Sequence, residues 1–305
     1  MKETPSILVS TNIIIDDVWL ADSIHKGFIL GGAAVWAAVG AKAWWPEVGI
    51  IAGVGDDLDT VSGGQLRCFG LRPDGELSRH AHTIRSKLVY LADGERTETP
   101  EFGPEHFALL QVTPTDFPAT LLPAAGTYIF RDLWPEYWMA YRARRTQLGV
   151  TLWEVQDDVA EARHWSGVRA LLPELDIVSI NRSEAKRLLG TSDPEEAAKT
   201  LLDAGAKVVV MRMGAEGALI ATQSERVRLS PPPSEVVDVT GGGNSFCGGF
   251  LAGWCERPGD LEHAGRCGAA SAAICIAQYG LPKPSQLADA PTLARRTKTT
   301  RRFCA

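Results

Sequence analysis

Short apolar runs alternate along the chain with longer segments in which apolar residues recur at helical spacing. The short runs cover 7–14, 48–54, 127–130, 150–154, 177–180, 208–213 and 217–221 and are rich in Val and Ile. Strands buried on both faces read this way, because neither face meets water. The longer segments, 32–43, 135–147, 182–189, 194–204, 245–256 and 261–279, read as helices, with Pro135 suited to a first turn. The alternation predicts βαβ units and a mostly parallel central sheet covered on both faces, an α/β three-layer αβα sandwich. One region breaks the rhythm. Residues 83–91 read as a strand, turn at Asp93-Gly94 and resume over 97–99, and Asp-Gly between strand-like flanks is a hairpin signal. Residues 18–30 are too few for a helical crossover. Together these pieces predict a small β lid, inserted at about 16–30 and 80–102 of a single domain spanning 1–305. No internal repeat is present, and Pro231-Pro232-Pro233 reads as a loop.

Composition changes this picture little. Apolar residues make up 45% of the 305 and charged residues 22%, which is ordinary for a folded globular chain. The net charge of −6, with no basic block, gives no electrostatic support to a nucleic-acid or anionic-membrane partner. The longest apolar stretch, 28–41, is Gly-rich and stops at Lys42 and Pro46, short of the roughly 20 residues a membrane span needs. The first residues lack the basic start and small-residue cleavage site of a leader, so a cytoplasmic protein is expected. Cys68, Cys247, Cys255, Cys267, Cys275 and Cys304 form no CxxC pair. They are expected to be reduced thiols, outside disulfide or zinc roles.

The first candidate for chemistry is Asp238-Val-Thr-Gly-Gly-Gly-Asn244-Ser-Phe-Cys-Gly-Gly. Gly241, Gly242 and Gly243 run directly into an apolar helix. Their backbone N–H groups can face one point at the positive end of that helix and hold a phosphate-like anion. Glycines also serve a tight turn without any ligand. The loop is not a P-loop, since no Gly-Lys-Ser/Thr follows. It is a poor dinucleotide fingerprint, since it lies near the C-terminus and not after the first strand. Other motifs follow a fixed order. Asn12 and Asp16 end the first strand, and Gly31-Gly32-Ala-Ala-Val-Trp36 opens a small-residue helix. Gly53-Val-Gly55-Asp56-Asp57, Asn181-Arg-Ser-Glu184 and Gly214-Ala-Glu-Gly217 come next. In this order they resemble the PfkB, or ribokinase-like, family of small-molecule kinases, over about residues 7 to 281.

The resemblance implies a ribokinase-like fold, ATP and Mg²⁺ as cofactors, and a small hydroxylated substrate. It places Asp16 on substrate hydroxyls, with Asn12 beside it and Gly31 and Gly32 letting backbone approach a sugar. Asn181 and Glu184 would order metal-bound water, although the same pair can cap the following helix. Gly214 and Gly217 would run beside the nucleotide phosphates, after Arg212 where Thr or Lys is common. Ser271, on a small face with Ala264, Gly268, Ala269 and Ala272, would border adenine, a face that tight helix packing explains equally well. Trp36 replaces a family Asn and would offer the substrate a flat apolar wall, core packing being the alternative. The family's dimers imply a homodimer through the lid, by analogy alone.

The sequence departs from the family at Asn244, where the family has the Asp that takes the proton from the attacking hydroxyl. A carboxamide can orient a hydroxyl but cannot accept its proton. Loss of a general base typically costs about 10²–10⁴-fold, yet phosphoryl transfer draws most of its catalysis from positioning and charge stabilisation. Asn244 would orient the hydroxyl, with Asp238 or solvent relaying the proton. The expected function is ATP-dependent phosphoryl transfer to a hydroxyl of a sugar, nucleoside or related small alcohol. The alternative is a catalytically silent relative that binds a nucleotide or small ligand, and a different reaction on the same scaffold stays open.

Overall fold

The computed structural model describes residues 4–20, 24–90 and 96–304. Its strands are β1 (Ile7–Ser10), β2 (Ile14–Trp19), β3 (His25–Gly31), β4 (Val48–Gly55), β5 (Glu76–His80), β6 (Arg85–Tyr90), β7 (Arg96–Pro100), β8 (Gly126–Phe130), β9 (Val150–Glu154), β10 (Ile177–Asn181), β11 (Val208–Arg212), β12 (Ala218–Ala221), β13 (Glu225–Ser230) and β14 (Lys298–Phe303). Its α-helices are α1 (Ala33–Lys42), α2 (Leu58–Val61), α3 (Pro104–Leu109), α4 (Pro135–Arg144), α5 (Trp165–Leu171), α6 (Arg182–Leu189), α7 (Pro194–Asp203), α8 (Gly242–Glu256), α9 (Leu261–Cys275) and α10 (Ala290–Arg296).

Ten strands form one sheet in the order β14-β13-β12-β11-β10-β9-β8-β1-β4-β5. From β5 to β11 every pairing is parallel, and β12, β13 and β14 add antiparallel pairings at one edge. The central strands are mostly apolar because helices cover both faces. One face packs on α1, α8 and α9, with Val35, Phe250 and Ala264 in its core. The other packs on α4, α5, α6 and α7, around Tyr137, Trp153 and Leu201. These are the three layers expected.

Where α1 meets α8 the helices touch backbone to backbone. A Cβ added at Gly248 would lie 1.9 Å from the Ala37 carbonyl oxygen, and one at Gly40 would lie 2.2 Å from that of Ser245.

The run 7–14 is not one strand. The chain leaves the main sheet after Ser10, and Ile14–Trp19 joins a second, four-stranded sheet in the order β3-β2-β6-β7. This is the small lid. Its β2 pairs antiparallel with β3 and parallel with β6. The expected Asp93-Gly94 turn lies outside the described residues. Asp57, just after β4, ties the two sheets together. Its carboxylate accepts from the Thr83 amide at 2.7 Å and from Arg85 at 2.5 Å. Burial raises the Asp57 pKa, but these bonds, with that from His82, hold it below its ordinary value. Strands β5, β13 and β14 escaped the apolar pattern because they are half-exposed or exposed. Helix α8 begins three residues earlier than the pattern suggested, which brings Asn244 into its first turn.

Candidate active site

The carboxyl ends of β8, β9, β10 and β11 meet the first turn of α8, where a doubly wound sheet places its ligands. Gly241 caps α8 with φ +74° and no side-chain partner. A Cβ there would lie 2.1 Å from the Trp36 ring, so glycine is required twice over. Trp36 is 4% exposed. It is the floor beneath the glycine loop, not an open wall for substrate, because α1 and α8 pack too closely to leave the indole a free face. Gly243 lies over Arg212, whose Nη1 would be 2.2 Å from an added Cβ.

Behind the loop runs a buried polar chain. The Asn244 amide Nδ2 donates to the Tyr128 hydroxyl at 3.1 Å and to Glu154 Oε1 at 3.3 Å. The Tyr128 hydroxyl donates to Glu154 Oε2 at 2.7 Å. These acceptors fix which way the carboxamide points and leave Oδ1 as the atom that can meet a donor. Tyr128 is fully buried, and that burial, reinforced by Glu154, pushes its phenol well above the ordinary range. Arg212 bridges Glu154 at 2.8 Å and Glu184 at 3.3 Å. Burial alone would lower its pKa, but the neighbouring acids outweigh this and hold the guanidinium charged. Sequence reasoning missed Tyr128 and Glu154. The available signal was an acid at the carboxyl end of a mostly apolar central strand, where sites form.

Asn181 and Glu184 form a reciprocal cap on α6. The Asn181 amide N–H donates to Glu184 Oε2 at 2.6 Å, its Nδ2 donates to Oε1 at 2.5 Å, and Glu184 N–H returns to Asn181 Oδ1 at 2.9 Å. Burial pushes the Glu184 carboxyl up, against the opposing pull of Arg212. Both carboxylate oxygens are therefore engaged. The pair fits a role on the water shell of a Mg²⁺ ion, which keeps several of its waters, better than direct ligation.

A cavity of about 530 Å³ opens beside the loop, within the usual range for small-ligand sites. Its apolar part is lined by Pro231, Pro232, Ala269, Ala272 and Ile276, and its polar end by Arg212, Gly214, Gly217, Gly242 and Gly243. Ser271 is turned away from it. Its hydroxyl donates to the Gly40 carbonyl at 2.9 Å and accepts from Trp44 Nε1 at 2.9 Å. It is thus a packing contact between α9 and α1, on the opposite side of α9 from the cavity-facing alanines. Asp238 is half-buried and accepts from the Thr240 amide at 3.0 Å, stiffening its own loop. Among the described residues no hydrogen bond joins it to Asn244.

At the lid end, Asp16, Asn12, Gly31 and Gly32 converge. Asp16 is half-buried on β2, and its Oδ2 would lie 2.9 Å from a Cβ on Gly31. Gly32 has φ +83°, and a Cβ there would lie 2.7 Å from the Asn12 carbonyl oxygen. Strand alternation sends Asp17 to the other face, where it meets Trp19 Nε1 at 2.8 Å and His25 at 2.5 Å. Gly32 caps α1, and Trp36 lies four residues on, about 6 Å of helical rise. That distance links the lid end to the glycine loop.

A family model described as pfkB family carbohydrate kinase matches residues 25–286. A cytidine kinase of Thermococcus kodakarensis is 29% identical over 292 residues, covering 90% of this chain and 97% of that one. The crystal structure of adenosine kinase from Sinorhizobium meliloti matches with a TM-score of 0.75 at 24% identity, over 95% of this chain and 99% of its own. A fructokinase from Vibrio cholerae O395, in a form bound to fructose, ADP and calcium ion, matches with a TM-score of 0.74 at 18% identity, over 95% and 99%. At these identities the structural likenesses speak for the fold.

Proposed function

The chain belongs to the pfkB family of carbohydrate kinases, and from that premise we propose that it transfers the γ-phosphoryl group of ATP to a hydroxyl of a sugar, nucleoside or related small alcohol. The observation that carries the reading is the pinned Asn244 amide, one residue after three glycines that head α8 beside the cavity. The apolar walls suit a nucleobase. The N–H groups of Gly242 and Gly243, with Arg212 behind them, suit phosphate oxygens. Asp16 accepts from acceptor hydroxyls while Gly31 and Gly32 let the substrate approach backbone. Asn244 Oδ1 accepts a hydrogen bond from the attacking hydroxyl and aligns it. In a loose transition state the hydroxyl can keep its proton until late, and the proton then passes to solvent or Asp238. Mg²⁺ bound with the nucleotide would supply neutralising charge, with Asn181 and Glu184 ordering its water.

A second reading is a silent nucleotide-binding relative, favoured by the missing carboxylate at Asn244. An ATP-turnover screen of the full chain separates the two. The acceptors to test are nucleosides first, given the cytidine kinase likeness, then sugars and other small alcohols. Phosphorylated product supports the kinase. Melting shifts with both ligands but no product would overturn it in favour of the silent relative.

A further inference from the structure

At the far end of α8, about 22 Å of helix from the glycine loop, three side chains of different chemistry meet. Glu256 is the last residue of α8. His263 lies in the first turn of α9, and Cys267 lies one turn further on the same face. The His263 Nε2 is 3.6 Å from Cys267 Sγ and 2.8 Å from Glu256 Oε2, and all three ligand atoms lie within 4.8 Å of one another. Gly253 of α8 makes room for the thiol, since a Cβ there would lie 2.8 Å from the sulfur.

We propose that Glu256, His263 and Cys267 form a site for a borderline divalent transition metal ion of the Zn²⁺ class, clamping the end of α8 to the start of α9. The spacing supports this. With Zn–S near 2.3 Å and Zn–N near 2.05 Å, the S···N edge of a tetrahedron is about 3.6 Å, which the protein already presents. The N···O edge would be about 3.3 Å, so Glu256 must withdraw by about 0.5 Å. It is exposed and free to do so. A thiolate, an imidazole and a carboxylate together select Zn²⁺ or Co²⁺ over Mg²⁺, which wants oxygen ligands only. The carbonyl end of α8 attracts a cation, and the amino end of α9, whose first turn carries His263, opposes it. Asp260 contributes negative charge nearby and Arg257 opposes it. On binding, the S–H proton leaves to solvent as the metal–sulfur bond forms, and water fills the fourth position. The site is independent of the proposed reaction.

The test is a Co²⁺ titration of the metal-free full chain. We expect a sulfur-to-cobalt charge-transfer band and the intense visible bands of a four-coordinate site, saturating at one equivalent and displaced by Zn²⁺ but not by Mg²⁺. Cys267→Ser should abolish the charge-transfer band. His263→Gln, at a half-buried position, should weaken Co²⁺ binding at least about 10-fold, since even outer partners of metal ligands cost 10- to 100-fold. A Cys68→Ser/Cys304→Ser control should bind as before. A folded wild-type chain with no charge-transfer band would overturn the proposal. So would a band unchanged in His263→Gln, which would leave the three side chains as an ion pair beside a thiol.

Discussion

Asn244→Asp looks like the simple repair of a missing base, and the structure predicts that it fails when made alone. The Asn244 Nδ2 lies 3.3 Å from Glu154 Oε1. An aspartate oxygen at that place would face a second carboxylate. At an effective dielectric near 20, two charges 3.3 Å apart repel by about 5 kcal/mol, or roughly 3 to 4 pKa units. Arg212, 2.8 Å from Glu154, offsets part of this but is already shared with Glu184. The carboxyl introduced at position 244 should therefore keep its proton at neutral pH, as the second acid of a close pair does. A raised pKa keeps the base protonated until the pH climbs past it, so the single variant should gain turnover only on the alkaline side. Asn244→Asp/Glu154→Gln removes the repelling charge and should gain at least about 10-fold at pH 7, within the range of general-base catalysis. The assay is kcat at saturating ATP from pH 6 to 9, with one acceptor, for all three proteins. A single variant that is tenfold faster at pH 7 with a flat profile would refute the reasoning. So would a double variant that binds both ligands and shows no gain.

Four further outcomes are expected. Ser271→Ala removes one buried and one half-buried hydrogen bond and should cost about 1–3 kcal/mol in denaturant unfolding, with the KM for ATP unchanged; a raised KM would return Ser271 to the nucleotide site. Gly241→Ala forces a Cβ into the Trp36 ring at a positive φ and should cost about 1–3 kcal/mol while weakening ATP binding, as calorimetry would show. Asp16→Ala should raise the acceptor KM by about 10- to 150-fold, whereas Asp17→Ala, on the other face of β2, should leave it near the wild-type value. Burial lowers the His106 pKa below its usual 6.5, so the unfolded chain takes up its proton first as the pH falls. Stability complete above about pH 6.5 should then decline below it and level off once the folded-state pKa is passed, and a Tm series over this range should lose that slope in His106→Gln.

The central strands were legible because burial on both faces leaves mostly apolar residues to write them. Val150–Glu154 and Arg182–Leu189 stand at the bounds the pattern predicted. Edge strands were not legible. In Glu225–Ser230 the buried residues alternate with exposed ones, and Lys298–Phe303 is polar nearly throughout. The order of motifs pointed to both ends of the proposed site, but partnership across strands was invisible. Tyr128, Glu154 and Asn244 are far apart in sequence and meet only because β8 and β9 are neighbours under the first turn of α8. Ser271 misled for a related reason. A face of small residues has two sides, and only packing decides which one looks into the cavity.

The backbone contact between α1 and α8 also sets where this protein can vary. An added methyl at Gly40 or Gly248 meets a carbonyl of the facing helix, so neither helix can gain a side chain unless the other retreats. Retreat of α8 would carry the glycine loop with it, because that loop is its first turn. Single substitutions there have no gradual path, and a tolerated change would need compensating steps in both helices at once. The lid is under no such coupling. Lys26 on β3 is exposed, and a replacement there meets mostly water. On the proposed reading, a lineage could therefore acquire new acceptors by drift in the lid while the phosphate end stays fixed, so selectivity and phosphoryl chemistry are separable under selection.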